Sequence, residues 1–100
     1  MAEYNGHYSY DLTTVSGWES KVIGVYYIGY LSGQNLTPVY VGKATGLDGI
    51  RGRLLDHLNE NNWSDASYFG YRICNSAAEA EQLEAAEIRR CQPRYNELGK

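Results

Sequence analysis

Cysteine, proline and histidine are scarce in this chain, two of each in 100 residues, and each scarcity excludes something. Two cysteines cannot staple a small secreted domain. Cys74 and Cys91, 17 positions apart beside so few histidines, fit no zinc-ligand spacing and read as buried thiols. The shortage of proline, with 43% apolar residues, excludes a disordered or low-complexity chain. The longest apolar run, residues 22–31, is about half of the ~20 residues that cross a bilayer, and residues 1–20 show no basic-then-apolar leader pattern. A cytoplasmic protein without a membrane partner is expected. An excess of positive charge is also missing: the net charge is −3, whereas proteins that neutralise phosphates are usually basic. The deficit is local. Residues 1–20 hold Glu3, Asp11 and Glu19 with no lysine or arginine, which leaves nine acidic and nine basic groups in residues 21–100.

What is present suits one small domain. Residues 1–20 form an acidic, aromatic extension without a helical period, and Tyr4, Tyr8, Tyr10 and Trp18 make it too aromatic for a free tail. It is expected to lie on the core formed by residues 21–100. Residues 21–31, rich in valine, isoleucine and tyrosine, stop at Ser32-Gly33-Gln34-Asn35, and a second apolar run follows at residues 39–41, which predicts a hairpin. Strand alternation puts Gly24, Tyr26 and Ile28 on one face and Ile23, Val25 and Tyr27 on the other. Ile50, Leu54 and Leu58 recur every fourth residue, so a helix runs from an N-cap at Asp48 to about residue 60, irregular at Gly52 and ended by Asn61-Asn62. A third strand is expected over residues 67–74. Ser76 and Glu79 form a capping-box signature for a second helix that reaches Arg90 and is stopped by Pro93. The order strand, strand, helix, strand, helix predicts an α+β fold, a small three-stranded antiparallel sheet with helices packed on it.

Several polar residues sit where packing alone would not put them. On the second helix, Glu84 and Glu87 fall inside the apolar stripe of Ala77, Ala80, Leu83, Ile88 and Cys91, roughly 140° wide. A carboxylate there needs a cation or metal partner, unless it snorkels from the edge of the stripe. Arg53 and His57 are one turn apart beside the apolar face of the first helix, while Arg51 lies about 160° round from Arg53. Only one arginine can face a shared site, and, taken alone, Arg53 and His57 fit a solvated face better than a site. Tyr26 and Tyr40 fall in adjacent strands, and Lys43 follows Tyr40 across Gly42.

Taken in order, Gly24-Val25-Tyr26, Tyr40-Val41-Gly42-Lys43, Arg53 with His57, Leu83-Glu84 and Pro93-Arg94-Tyr95-Asn96 resemble the motifs of the GIY-YIG nuclease family. That family includes the catalytic domain of a bacterial excision-repair endonuclease, homing endonucleases and some restriction enzymes. The resemblance covers about residues 22–97. Tyr27-Ile28-Gly29 is a decoy, because the family places its second half-motif on the following strand, where Tyr40-Val41-Gly42 stands. The resemblance implies a GIY-YIG endonuclease-like fold and a metal-dependent DNA endonuclease. It implies that Glu84 holds one Mg²⁺ or Mn²⁺, that Arg53 contacts the scissile phosphate, and that Tyr26, Tyr40, Lys43 and His57 surround the attacking water while Asn96 braces the site.

Phosphodiester hydrolysis needs a deprotonated water in line with the leaving oxygen and positive charge on the transition state, which the metal and Arg53 would supply. A tyrosine base must lower its pKa from about 10 towards 7, roughly 4 kcal/mol, whereas histidine needs no such shift. Tyr26, Tyr40 and His57 all stand as candidate bases. Lys43, Arg51, Arg53, Arg72, Arg89, Arg90 and Arg94 are the candidate nucleic-acid contacts. A bare catalytic core has little surface for reading a long DNA sequence, so specificity is expected to be low, structure-directed, or supplied by a specificity-giving partner chain or self-dimer. The acidic extension is a candidate cover for the cleft. A non-catalytic nucleic-acid or protein binding module on the same fold is the alternative.

Overall fold

The computed structural model describes residues 3–18, 22–60 and 66–98. The β-branched and aromatic run becomes β2 (Gly24–Ser32), which turns at Gly33, with φ at 65°, and returns as β3 (Asn35–Ala44). β3 is longer than residues 39–41, because pairing with β2 continues from Ser32↔Asn35 to Gly24↔Ala44. Val39 is an extra residue in this ladder: Ile28 pairs with Tyr40 and Gly29 with Pro38, so the strand bulges where proline would otherwise break it. Gly29 is required there, since a Cβ would lie 1.9 Å from the Thr37 carbonyl oxygen.

The sheet has four strands, not the three expected. β4, formed by Tyr68–Ile73, pairs with β2, and β1, formed by Tyr4–Ser9, pairs with β4. The order is β1-β4-β2-β3 with every pair antiparallel. β1 lacks an apolar run because it is a half-exposed edge strand, anchored by rings: Tyr8 lies 5.6 Å from Phe69. A short helix, α1 (Leu12–Gly17), follows; the Asp11 carboxylate caps it by accepting from Thr14 N at 2.7 Å, and Val15 is fully buried. Trp18 then packs on Tyr71 at 4.8 Å. The described part of the extension therefore lies on the core.

Alternation along β2 divides the interior. Tyr26 and Ile28 enter one core with Val15, Ile50, Leu54 and Phe69, while Val25 and Tyr27 enter a second with Val41, Cys74 and Ala80. α2 (Gly49–Asn59) covers the first face with α1, and α3 (Ala77–Cys91) covers the second. Each large apolar side chain buried this way contributes roughly 1.5–3 kcal/mol. Asp48 makes no side-chain capping bond, and α2 runs unbroken through Gly52, where a Cβ would lie 2.3 Å from that of Asp48. The expected strand start at Lys21 and helix stop at Asn61-Asn62 lie outside the described residues.

The α3 cap forms as expected on Ser76, whose Oγ accepts from Glu79 N at 3.1 Å, but Glu79 reaches back to Asn75 N instead of Ser76 N. Gln92, left-handed at φ 46°, ends α3; buried Pro93 follows, and α4 (Arg94–Leu98) runs on. Cys74 is buried and Cys91 only half-buried, both as free thiols. Among the described residues, no helix is long and apolar enough to cross a membrane.

Candidate active site

The centre of the site is a buried pair. Tyr26 of β2 is fully enclosed, and its Oη lies 2.8 Å from Nε2 of His57, which α2 presents one turn after Arg53. The Arg53 guanidinium, 3.5 Å from Asp56, acts electrostatically on the same phenol. Burial pushes the Tyr26 phenol well above the ordinary tyrosine range; Tyr40 adds to the shift and Arg53 opposes it. Burial, then the Arg53 charge, pushes His57 below 6.5, so its imidazole is neutral at pH 7. Tyr40 closes the cluster from β3, its ring 6.2 Å from Tyr26 and 5.4 Å, edge-on, from His57. Gly42 makes room for it. A Cβ at 42 would stand 2.4 Å from Tyr26 Oη and 2.9 Å from a Tyr40 ring carbon, so only glycine lets the phenol cross β3.

Glu84 and Lys43 come from the other face of the sheet. Lys43, opposite Val25 in the ladder, points towards α3, where its Nζ lies 3.2 Å from Glu81 and 4.0 Å from Glu84. Glu84 is the less exposed carboxylate, and its charge acts on Tyr26. Asn96 of α4 clamps the free edge of β3: its Oδ1 accepts from Val41 N at 2.7 Å and its Nδ2 donates to Val41 O at 2.9 Å. It thus stands in for a fifth strand between Tyr40 and Gly42. No group of three or more His, Cys, Asp or Glu side chains converges among the described residues. A single half-buried carboxylate still fits Mg²⁺, which keeps most of its waters and takes one or two protein carboxylates.

The arginines divide between this site and elsewhere. Arg51, on the opposite flank of α2 from Arg53, donates to Ser16 O at 2.9 Å and fastens α1. Arg72 and Arg90 belong to a separate cluster on the α3 face. There the buried Glu87 accepts from Tyr27 at 2.6 Å and from Arg90 at 2.7 and 2.9 Å, and Arg72 donates to Tyr27 at 2.9 Å. The Arg90 hydrogen bonds hold the Glu87 carboxyl at about 2. Glu87, visible in the sequence as a carboxylate on an apolar stripe, is the one that finds guanidinium partners. Tyr27 was hidden among ten tyrosines. Arg89 and Arg94 are exposed, the latter over the Tyr95 ring at 4.8 Å.

The extension does not cover the cleft with its described residues. β1 lies along the outer edge of β4 and α1 against the Arg51 flank of α2, while Tyr4 packs on Tyr27 at 5.5 Å and His7 Nε2 lies 2.8 Å from Gln34 O, at the opposite end of β3 from Lys43. In comparisons with known proteins, no family model, curated protein or solved structure matches the chain.

Proposed function

We propose that the protein is a metal-dependent DNA endonuclease of the GIY-YIG kind, whose site is the Tyr26–His57–Arg53–Tyr40 cluster with Glu84 and Lys43 at its rim. The observation that carries the reading is the 2.8 Å Tyr26–His57 contact, with the Arg53 charge acting on the same phenol and Gly42 clearing its path. These residues are dispersed along the chain, and packing alone does not ask for a histidine on a buried phenol within the field of an arginine. Glu84 would hold the divalent cation, which when bound supplies positive charge for the transition state and lowers the pKa of a bound water.

Arg53, about half exposed and 3.5 Å from Asp56, is positioned to meet a phosphate oxygen while its charge acts on Tyr26. Of the candidate bases, His57 is favoured over Tyr26. Ionising a tyrosine at pH 7 costs about 4 kcal/mol from its ordinary pKa, and the burial of Tyr26 adds to that. His57 is already neutral and accepts a proton without this cost; Tyr26, bonded to Nε2, fixes the plane of its ring. Arg51, Arg72 and Arg90 are bound within the protein, so affinity beyond the site is weak, and sequence selection falls to a partner chain or a second copy.

The test is incubation with supercoiled plasmid in Mg²⁺, in Mn²⁺ and in EDTA, beside Glu84→Ala. Metal-dependent nicking, lost in EDTA and in the variant, is the expected result. Failure to cut plasmid, branched or single-stranded DNA would overturn the reading and leave a non-catalytic binding module on this fold.

A further inference from the structure

Lys43 has two carboxylates to choose between, and the site needs one of them. Its ammonium lies between Glu81 and Glu84, one turn apart on α3, nearer to Glu81 at 3.2 Å than to Glu84 at 4.0 Å. An ammonium resting wholly on Glu84 would compete with a divalent cation for the same oxygens. The strand leaves Lys43 no other direction. Alternation along β3 aims it at α3, with buried Val41 and Ala44 on either side of the Gly42–Lys43 pair. A second acceptor one turn earlier on α3 resolves the competition. Glu81, with a side chain 61% exposed, can follow the ammonium at little cost, whereas Glu84, 23% exposed, has less room to move.

We infer that Glu81 is a positioning residue that draws the Lys43 ammonium off Glu84 and so keeps that carboxylate open to a divalent cation. The inference rests on the proposed role of Glu84 and adds a residue to it. Glu81 itself touches neither substrate nor metal. Its action passes through Lys43, and that makes it separable from a charge or ligand acting directly.

The experiment is Mn²⁺ binding to the intact protein without DNA, read from the electron paramagnetic resonance of the free ion, in a double-substitution cycle of Glu81→Gln and Lys43→Met with Glu84→Gln as reference. Glu81→Gln is expected to weaken Mn²⁺ binding about threefold, the scale of one exposed ion pair, because Lys43 then falls back on Glu84. Lys43→Met is expected to tighten it. In the Lys43→Met chain, adding Glu81→Gln should change affinity by much less than threefold. An equal loss in both backgrounds would overturn the inference and make Glu81 a direct ligand or through-space charge; no loss in the native background would overturn it too. If Mn²⁺ binds no better to the native chain than to Glu84→Gln, the metal role of Glu84 fails and takes the inference with it, a result distinct from the other two.

Discussion

Adding one methyl group at Gly42 tests whether the second glycine of the motif is there for the phenol of Tyr26. In Gly42→Ala the new Cβ would sit 2.4 Å from Tyr26 Oη, 2.5 Å from its Cζ and 2.9 Å from a Tyr40 ring carbon, all well inside van der Waals contact. Tyr26 cannot yield outward, because it is fully buried between β3 and α2. Overpacking of this kind costs about 1–3 kcal/mol, and breaking the Tyr26–His57 hydrogen bond adds about 1 kcal/mol. With a urea slope near 1.5 kcal/mol/M, a loss of about 2–4 kcal/mol should drop the unfolding midpoint by about 1.3–2.7 M, and plasmid nicking per folded molecule should fall with it. Gly29→Ala is the control. Its Cβ would strike the Thr37 carbonyl oxygen at 1.9 Å, at the bulge and on no site residue. It should lose at least as much stability, yet whatever folds should keep its cleavage rate. A Gly42→Ala chain that unfolds at the native midpoint and nicks at the native rate would refute the reasoning.

Two further outcomes follow from titration. Glu87 is held at about 2, below its unfolded value of 4.5, so its pairing stabilises the fold above pH 4.5 and is lost as the pH falls through 2. The full contribution is about 3 kcal/mol, of which about 2 kcal/mol is gone by pH 3. Urea unfolding at pH 7 and pH 3 should show this loss in the native chain and not in Glu87→Gln; equal losses would sink the assignment. For catalysis, His57 must be neutral to accept a proton, and burial lowers its pKa, so the acidic limb of the cleavage rate should lie below pH 6.5. An acidic limb that is unmoved by substitution of His57 and abolished by substitution of Tyr40 would transfer the role of base to that tyrosine.

Local patterns made much of this protein legible in its sequence. The alternation of Val25, Tyr26, Tyr27 and Ile28 told which side chains part company across the sheet, and the two cores bear it out. The fourfold spacing of Ile50, Leu54 and Leu58, and the Ser76 cap, located two helices, because periodicity and capping are properties of neighbours in the chain. The helical arc also separated Arg51 from Arg53 before either had a partner.

What tertiary structure alone decided involves groups far apart in the chain. β1 gave no periodic signal, because an edge strand is stabilised by pairing with β4 and by rings on Phe69, and no residue within the strand records that. The partner of Glu87 could not be named, since Tyr27 lies 60 residues away and resembles nine other tyrosines. Gly42 and Gly29 end near-identical tripeptides, yet one makes way for a phenol and the other for a backbone carbonyl. The sequence specifies which residue types are available and on which face of an element each one lies. Which of them meet, at 2.8 Å for Tyr26 and His57 or across β3 for Asn96 and Val41, depends on how the sheet and helices pack, where contact is set by distance in space and not along the chain.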